Sequence, residues 1–130
     1  MEYRYDNEII FNVYRGDVFY VRLEDIDKRE GSEQAGTRPV VCIQNDIGNA
    51  YSPTTIVAVL TSRTDKKPLP THVLINVDKE KDCTLKLDSY VLCEQIRTIS
   101  KTRILSTKGH LSNETMKKID KAIKISLQLD

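Results

Sequence analysis

A β-rich α+β domain, a small barrel or sandwich closed by one terminal helix, is the fold class the sequence predicts. Three observations point there. Short runs of β-branched and aromatic residues recur with turn chemistry between them. Only the last stretch, from residue 112, carries apolar residues at helical spacing. And 130 residues make one domain, long enough to bury roughly two-thirds of its unfolded surface without disulfides or a structural metal. The expected organisation is a single domain over 1–130. Residues 1–14 form an N-terminal extension, 15–111 the strand-built body and 112–129 the helix.

Each element follows from its residues. Arg15-Gly16-Asp17 reads as a turn, and residues 18–23 (VFYVRL) as the first strand. Residues 24–37 are polar and hold Gly31 and Gly36, so they form a loop, long for a compact domain and of the kind that often carries function. Arg38-Pro39 opens a short apolar strand over 40–44 (VVCIQ); proline is allowed at a strand's first position because no interior ladder donor is lost. Residues 45–53 (NDIGNAYSP) are turn chemistry throughout. Residues 54–61 (TTIVAVLT) form the most apolar strand, expected at the centre of the sheet. The prolines at 68 and 70 mark a loop, and 71–77 (THVLINV) a strand with Val73, Ile75 and Val77 on one face. Residues 78–82 suit a loop or one helical turn. Residues 89–99 (SYVLCEQIRTI) read as a long strand, or two meeting at a bend near Glu94. From Ser112, a suitable N-cap with Glu114 in the first turn, Met116, Ile119, Ile123 and Leu127 recur on one helical face.

Composition narrows the function classes. Charged residues make up 30% and hydrophobic ones 39%, which fits a folded soluble domain. No apolar run approaches the roughly 18 residues of a membrane span. The start, MEYRYDNEII, is acidic and lacks an apolar core segment, so it is not expected to be a secretory signal. A net charge of +1 excludes a uniformly basic nucleic-acid binder but leaves room for a local basic groove. Cys42, Cys83 and Cys93 are odd in number and unpaired in spacing; Cys42 and Cys93 stand in apolar runs and read as buried small hydrophobes, and free thiols fit an expected cytosolic location. His72 and His110 stand in no motif, and no ligand spacing supports a metal site.

One loop is richer. Residues 31–39 (GSEQAGTRP) bring together Ser32, Glu33, Gln34, two glycines and Arg38. Such a segment is either a solvated turn or an anion site, since glycine lets backbone N–H groups approach a ligand and arginine offers a planar charged fork. If strands 40–44 and 54–61 are antiparallel neighbours, Arg38 at the start of one meets the Thr61 hydroxyl at the end of the next.

Five segments together, RGDVFYV, GSEQAGTRPVVCIQND, SPTTIVAVLT, LPTHV and EQIRTI, in this order and separation resemble the MazF/PemK group of toxin endoribonucleases. The resemblance runs from Arg15 to about Leu129. It implies an SH3-like barrel with a C-terminal helix. It also implies a homodimer, cofactor-free and metal-independent cleavage of single-stranded RNA in the cytoplasm, and inhibition by a cognate MazE-like antitoxin peptide. By motif, Arg38 and Thr61 match the catalytic pair, and Ser32 and Glu33 the active-site loop, with Glu33 a candidate for proton transfer. Gln34, Gln95 and Arg97 match segments that lie near the RNA. Relatives with NDIGN and EQIRTI wording cut U-flanked sites containing ACA. Two departures stand out: the chain begins about ten residues earlier than a typical relative, and the segment 24–30 is longer and lacks a common Ser-Pro. Two rivals remain: a non-catalytic RNA-binding barrel, and a gyrase poison of the same fold. The second is disfavoured because this chain has no Trp and ends LQLD.

Overall fold

The structure, a computed structural model, describes residues 3–5, 8–10, 12–23 and 36–130. Ser32, Glu33, Gln34 and the segment 24–30 lie outside the described residues. Among the described residues, eight strands and two α-helices follow in order: β1 (Tyr3–Tyr5), β2 (Glu8–Ile10), β3 (Asp17–Arg22), β4 (Thr37–Cys42), α1 (Asp46–Tyr51), β5 (Thr54–Thr61), β6 (His72–Ile75), β7 (Ser89–Ser100), β8 (Ile104–His110) and α2 (Asn113–Leu127). β1 and β2 pair with each other. The other six strands form one antiparallel sheet in the order β6-β7-β5-β4-β3-β8. β5 is central, as its apolar run anticipates.

The sheet curls toward a barrel. The chain between β6 and β7 crosses to the far edge, where Cys83 bridges Gly109 of β8. There the Thr84 N–H donates to the Lys108 carbonyl at 2.8 Å and the His110 N–H to the Asp82 carbonyl at 2.9 Å. This join needs a glycine. Gly109 has φ +100°, and a Cβ there would stand 1.9 Å from the Asp82 carbonyl oxygen.

Two apolar cores sandwich the sheet. One joins Val41, Ala58, Leu60 and Val91 to Met116 and Ile119 of α2; the other gathers Phe19, Val21, Val40, Val57 and Val59 with Val13. α2 buries the stripe Met116, Ile119 and Ala122. Ser112 caps it, its hydroxyl accepting from the Thr115 N–H. The buried Glu80 carboxylate adds three bonds to the same helix end, from the Ser112 N–H, the Ser112 hydroxyl and the Thr115 hydroxyl, the sign that a helix N-terminus favours.

Several expectations need correction. The first fourteen residues hold two paired strands and place Val13 in a core, so they do more than precede the fold. Residues 45–53 contain a helix, α1, capped by the Asn45 side chain, which accepts from the Gly48 N–H. Asn-Asp at its start serves a cap as readily as a turn, because both need the same side-chain acceptor. β4 begins two residues before Pro39. β8 had no strand signal, since LSTKGH is mostly polar and lies at a sheet edge. Val77 leaves β6 for a 3-10 turn (Val77–Lys79). Leu127 is exposed, beyond the reach of the core that α2 covers.

Candidate active site

Arg38 and Thr61 come together at one end of the sheet. β4 and β5 pair antiparallel through Val40 with Val59, Val41 with Ala58 and Cys42 with Val57. Carried on by two residues, that register sets Arg38 opposite Thr61, on the same face as the Val40–Val59 pair. The ladder begins just after Pro39, as a residue without an N–H requires. β4 thus stays paired to β3 through Pro39 with Tyr20 and Arg38 with Val21. Pro39 also holds residue 38 in an extended conformation, which fixes where its side chain departs. Beyond the ladder the strand ends frame a cavity of about 480 Å³ that both Arg38 and Thr61 line.

The cavity is cationic and rich in hydroxyls. Lys86 and Lys108 join Arg38 on its wall, and Ser62, Thr84 and Ser89 join Thr61; among the described residues none of its lining is acidic. Lys108 lies over the Tyr20 ring, 5.3 Å from the centroid, a separation at which the ring face attracts a cation. The Thr61 hydroxyl oxygen accepts from the Arg63 N–H at 3.2 Å, so its proton points elsewhere and is available to a ligand.

Gln95 and Arg97 are not on the described lining of this cavity. Arg97 pairs with Val57, midway along β5. Gln95 sits in a bulge: between Ala58 and Val59 of β5 the partner on β7 jumps from Ile96 to Leu92, leaving Cys93, Glu94 and Gln95 unmatched. The bend expected near Glu94 is this bulge. Glu94 is pinned there by the Thr71 hydroxyl at 2.9 Å and the His72 ring at 2.8 Å. The other His72 nitrogen accepts from the Leu69 N–H. Partial burial pushes the Glu94 carboxyl up, but the bonds from His72, its own backbone N–H and Thr71 outweigh it and hold the group below its ordinary value. His72 is therefore a buttress with both nitrogens engaged. His110 bonds Asp17 at 2.9 Å and also lies off the cavity lining.

The thiols are structural. Burial pushes the Cys93 thiol up to about 12, with the Glu94 charge adding to it. Burial likewise raises Cys42 and Cys83. Among the described residues no three His, Cys, Asp or Glu side chains cluster as a metal site would. None of the described helices is long and apolar enough to cross a membrane.

Sequence reasoning reached Arg38 and Thr61 and missed Lys86, Lys108, Ser62, Thr84 and Ser89. No local signal marks these: two lysines among 20 Lys and Arg are anonymous until the sheet curls. The Lys-Gly pair at 108–109 was the one available clue, because glycine inside a strand marks a bulge or a close backbone approach.

A small curled sheet with a C-terminal helix and a cationic, hydroxyl-lined cavity at the strand ends defines a β-barrel-like protein whose candidate site suits an anion. The family described as the PemK-like, MazF-like toxin of type II toxin–antitoxin systems matches residues 14–127, and the chain belongs to that family. An Endoribonuclease MazF of Staphylococcus saprophyticus is 51% identical over 115 residues, which cover 88% of this chain and 91% of that protein. Solved structures agree on the fold. An endoribonuclease from a mycobacterial species superposes with a TM-score of 0.70 at 24% identity, covering 94% of this chain and 97% of that one. Its counterpart described as in complex with its cognate antitoxin covers 91% and 97% with a TM-score of 0.70, at 24% identity. MazF from Deinococcus radiodurans reaches a TM-score of 0.72 at 17% identity, covering 92% and 99%.

Proposed function

We propose that this chain, a MazF-type toxin endoribonuclease, cleaves single-stranded RNA without a metal ion, at a short U-flanked site containing ACA, with Arg38 and Thr61 as its catalytic pair. One observation carries the assignment: two residues far apart in sequence meet on one cavity at the same end of β4 and β5. RNA supplies its own nucleophile. The 2′-oxygen attacks the adjacent phosphorus, the bond from phosphorus to the 5′-oxygen breaks, and a proton must leave the first oxygen and reach the second. Arg38 neutralises the charge that grows on the phosphoryl oxygens and aims a donor toward the leaving oxygen. Thr61 donates its hydroxyl to a phosphoryl oxygen. Glu33 is one candidate for taking the 2′-proton, with Ser32 and Gln34 beside it in sequence. Gln95 and Arg97 contact RNA further along, on a groove that a second copy of the chain helps to form.

The pairing of RNA and antitoxin follows from charge. An extended acidic antitoxin segment and an RNA strand both suit a cationic groove and compete for it. Incubation with a long RNA in excess EDTA, followed by end mapping, tests the central claim. Fragments with a common sequence at their ends are the expected result, lost in Thr61→Val. Activity that vanishes in EDTA and returns with Mg²⁺ overturns the metal-free mechanism; RNA bound but intact supports the non-catalytic barrel. Sedimentation at micromolar concentration is expected to give a dimer.

A further inference from the structure

We propose that Lys86 and Lys108 form a second phosphate subsite, which holds a phosphodiester next to the one that is cleaved. The inference rests on the RNA-cleaving reading of the Arg38–Thr61 cavity and goes beyond it to the far wall. The cavity, at about 480 Å³, falls in the range that accepts a drug-sized ligand, more than one phosphoryl group fills. Its described wall holds three cations, Arg38, Lys86 and Lys108, and no carboxylate. Arg38 comes from β4. The two lysines come from a separate structure, the join of the 82–84 segment with β8.

That join presents the lysines together. The Lys108 carbonyl accepts from the Thr84 N–H at 2.8 Å and from the Thr84 hydroxyl at 3.3 Å. Lys86, two residues beyond Thr84, is thereby tied to the strand that bears Lys108. The Lys108 ammonium is steered by the Tyr20 ring beneath it. Among the described residues neither lysine has a carboxylate partner within ion-pair distance. Two like charges gathered on one wall repel each other, and a bound anion removes that repulsion. Lysine suits a flanking phosphate, since an ammonium is a point charge that tolerates many approach angles; the planar fork of Arg38 suits the geometry of the reacting group. Nucleotides carry one phosphate each along the strand, so a site that grips two sets the register of the chain across the cavity.

Steady-state cleavage of a mapped RNA oligonucleotide by the full chain, for wild type, Lys86→Ala, Lys108→Ala and the double variant, tests the subsite. A flanking-phosphate site acts on substrate and transition state alike. The double variant is therefore expected to raise KM about tenfold, with kcat falling less than threefold. The salt slope of log binding is expected to drop by about 0.7, one phosphate's share for single strands. Lys86→Arg and Lys108→Arg keep the charge and are expected to restore KM. Replacing single phosphates by uncharged methylphosphonates locates the contact. At one position beside the cut, wild type is expected to lose affinity and the double variant to lose no more. Unchanged KM and salt slope overturn the subsite and leave the catalytic reading intact. A loss confined to kcat also overturns it, placing the lysines on the reacting phosphate. Absence of cleavage by wild type, with Arg38→Lys indistinguishable from it, overturns the catalytic reading and the subsite with it.

Discussion

The β4–β5 pair ends in polar residues at both ends, and the two ends have opposite characters. At the far end from Arg38, Cys42, Asn49, Thr55 and Lys101 are all buried. They satisfy each other. The Asn49 oxygen accepts from Thr55 at 2.8 Å and from the Gln44 amide at 3.0 Å, and its amide donates to the Gln44 carbonyl at 3.0 Å. The Lys101 ammonium donates to the Asn49 backbone carbonyl, in α1. Burial pushes Lys101 below its ordinary value, against the opposing pull of Cys42. At the near end, Thr61, Lys86 and Lys108 face a cavity. A polar cluster whose bonds close on themselves is a joint; one whose donors open on a cavity is a site. The strand pair is one rigid element, and the joint at one end holds the register that aligns Arg38 with Thr61 at the other.

Arg38→Lys breaks the open end. It keeps charge and loses the fork, so turnover is expected to fall by roughly 10²–10³, the scale for one lost oxyanion donor. Affinity for an uncleavable RNA is expected to stay within a few-fold, and the melting temperature within a degree or two. Near wild-type cleavage by this variant would falsify the catalytic assignment.

Gly109→Ala attacks the join that carries the far wall of the cavity. Its Cβ meets a backbone oxygen at a left-handed φ, so the 82–84 join must shift. A loss of about 3 kcal/mol in denaturant unfolding is expected, toward the upper end for single substitutions, with a raised KM for RNA. Wild-type stability here means the join is not a rigid wall.

Lys101→Met tests the closed end. It leaves the Asn49 carbonyl buried without its donor, at a cost of about 1–3 kcal/mol. Because Lys101 does not line the cavity, kcat per folded molecule is expected to hold at 25 °C. A large fall in kcat with unchanged stability contradicts the division into joint and site.

Glu94 offers the smallest effect. Its carboxyl lies below its ordinary value in the folded chain, so its stabilisation is present above that value and fades as pH falls through the folded one. Wild type is expected to exceed Glu94→Gln in stability by less than about 1 kcal/mol at neutral pH, given its partial exposure. Melting curves from pH 7 down to 3 are expected to converge below the ordinary carboxylate range. A gap constant with pH shows that packing, and not charge, holds the bulge.

The outcome divides by physical range. Strands β3, β5 and β7 and helix α2 were legible because side-chain periodicity is a local property and buried faces repeat with the backbone. The meeting of Arg38 and Thr61 was legible as a condition, since antiparallel pairing of two adjacent strands brings a start beside an end. α1 was hidden because a cap and a turn use the same residues. β8 was hidden because an edge strand need not be apolar. The far wall of the cavity belonged to tertiary structure alone. Lys86 and Lys108 become neighbours only when the chain after β6 crosses the curled sheet and docks on Gly109, a contact between backbones that no side-chain pattern encodes. Sequence by itself determined the apolar strands, with Arg38 near the start of β4 and Thr61 at the end of β5; closure of the sheet decided which other charges those two residues face.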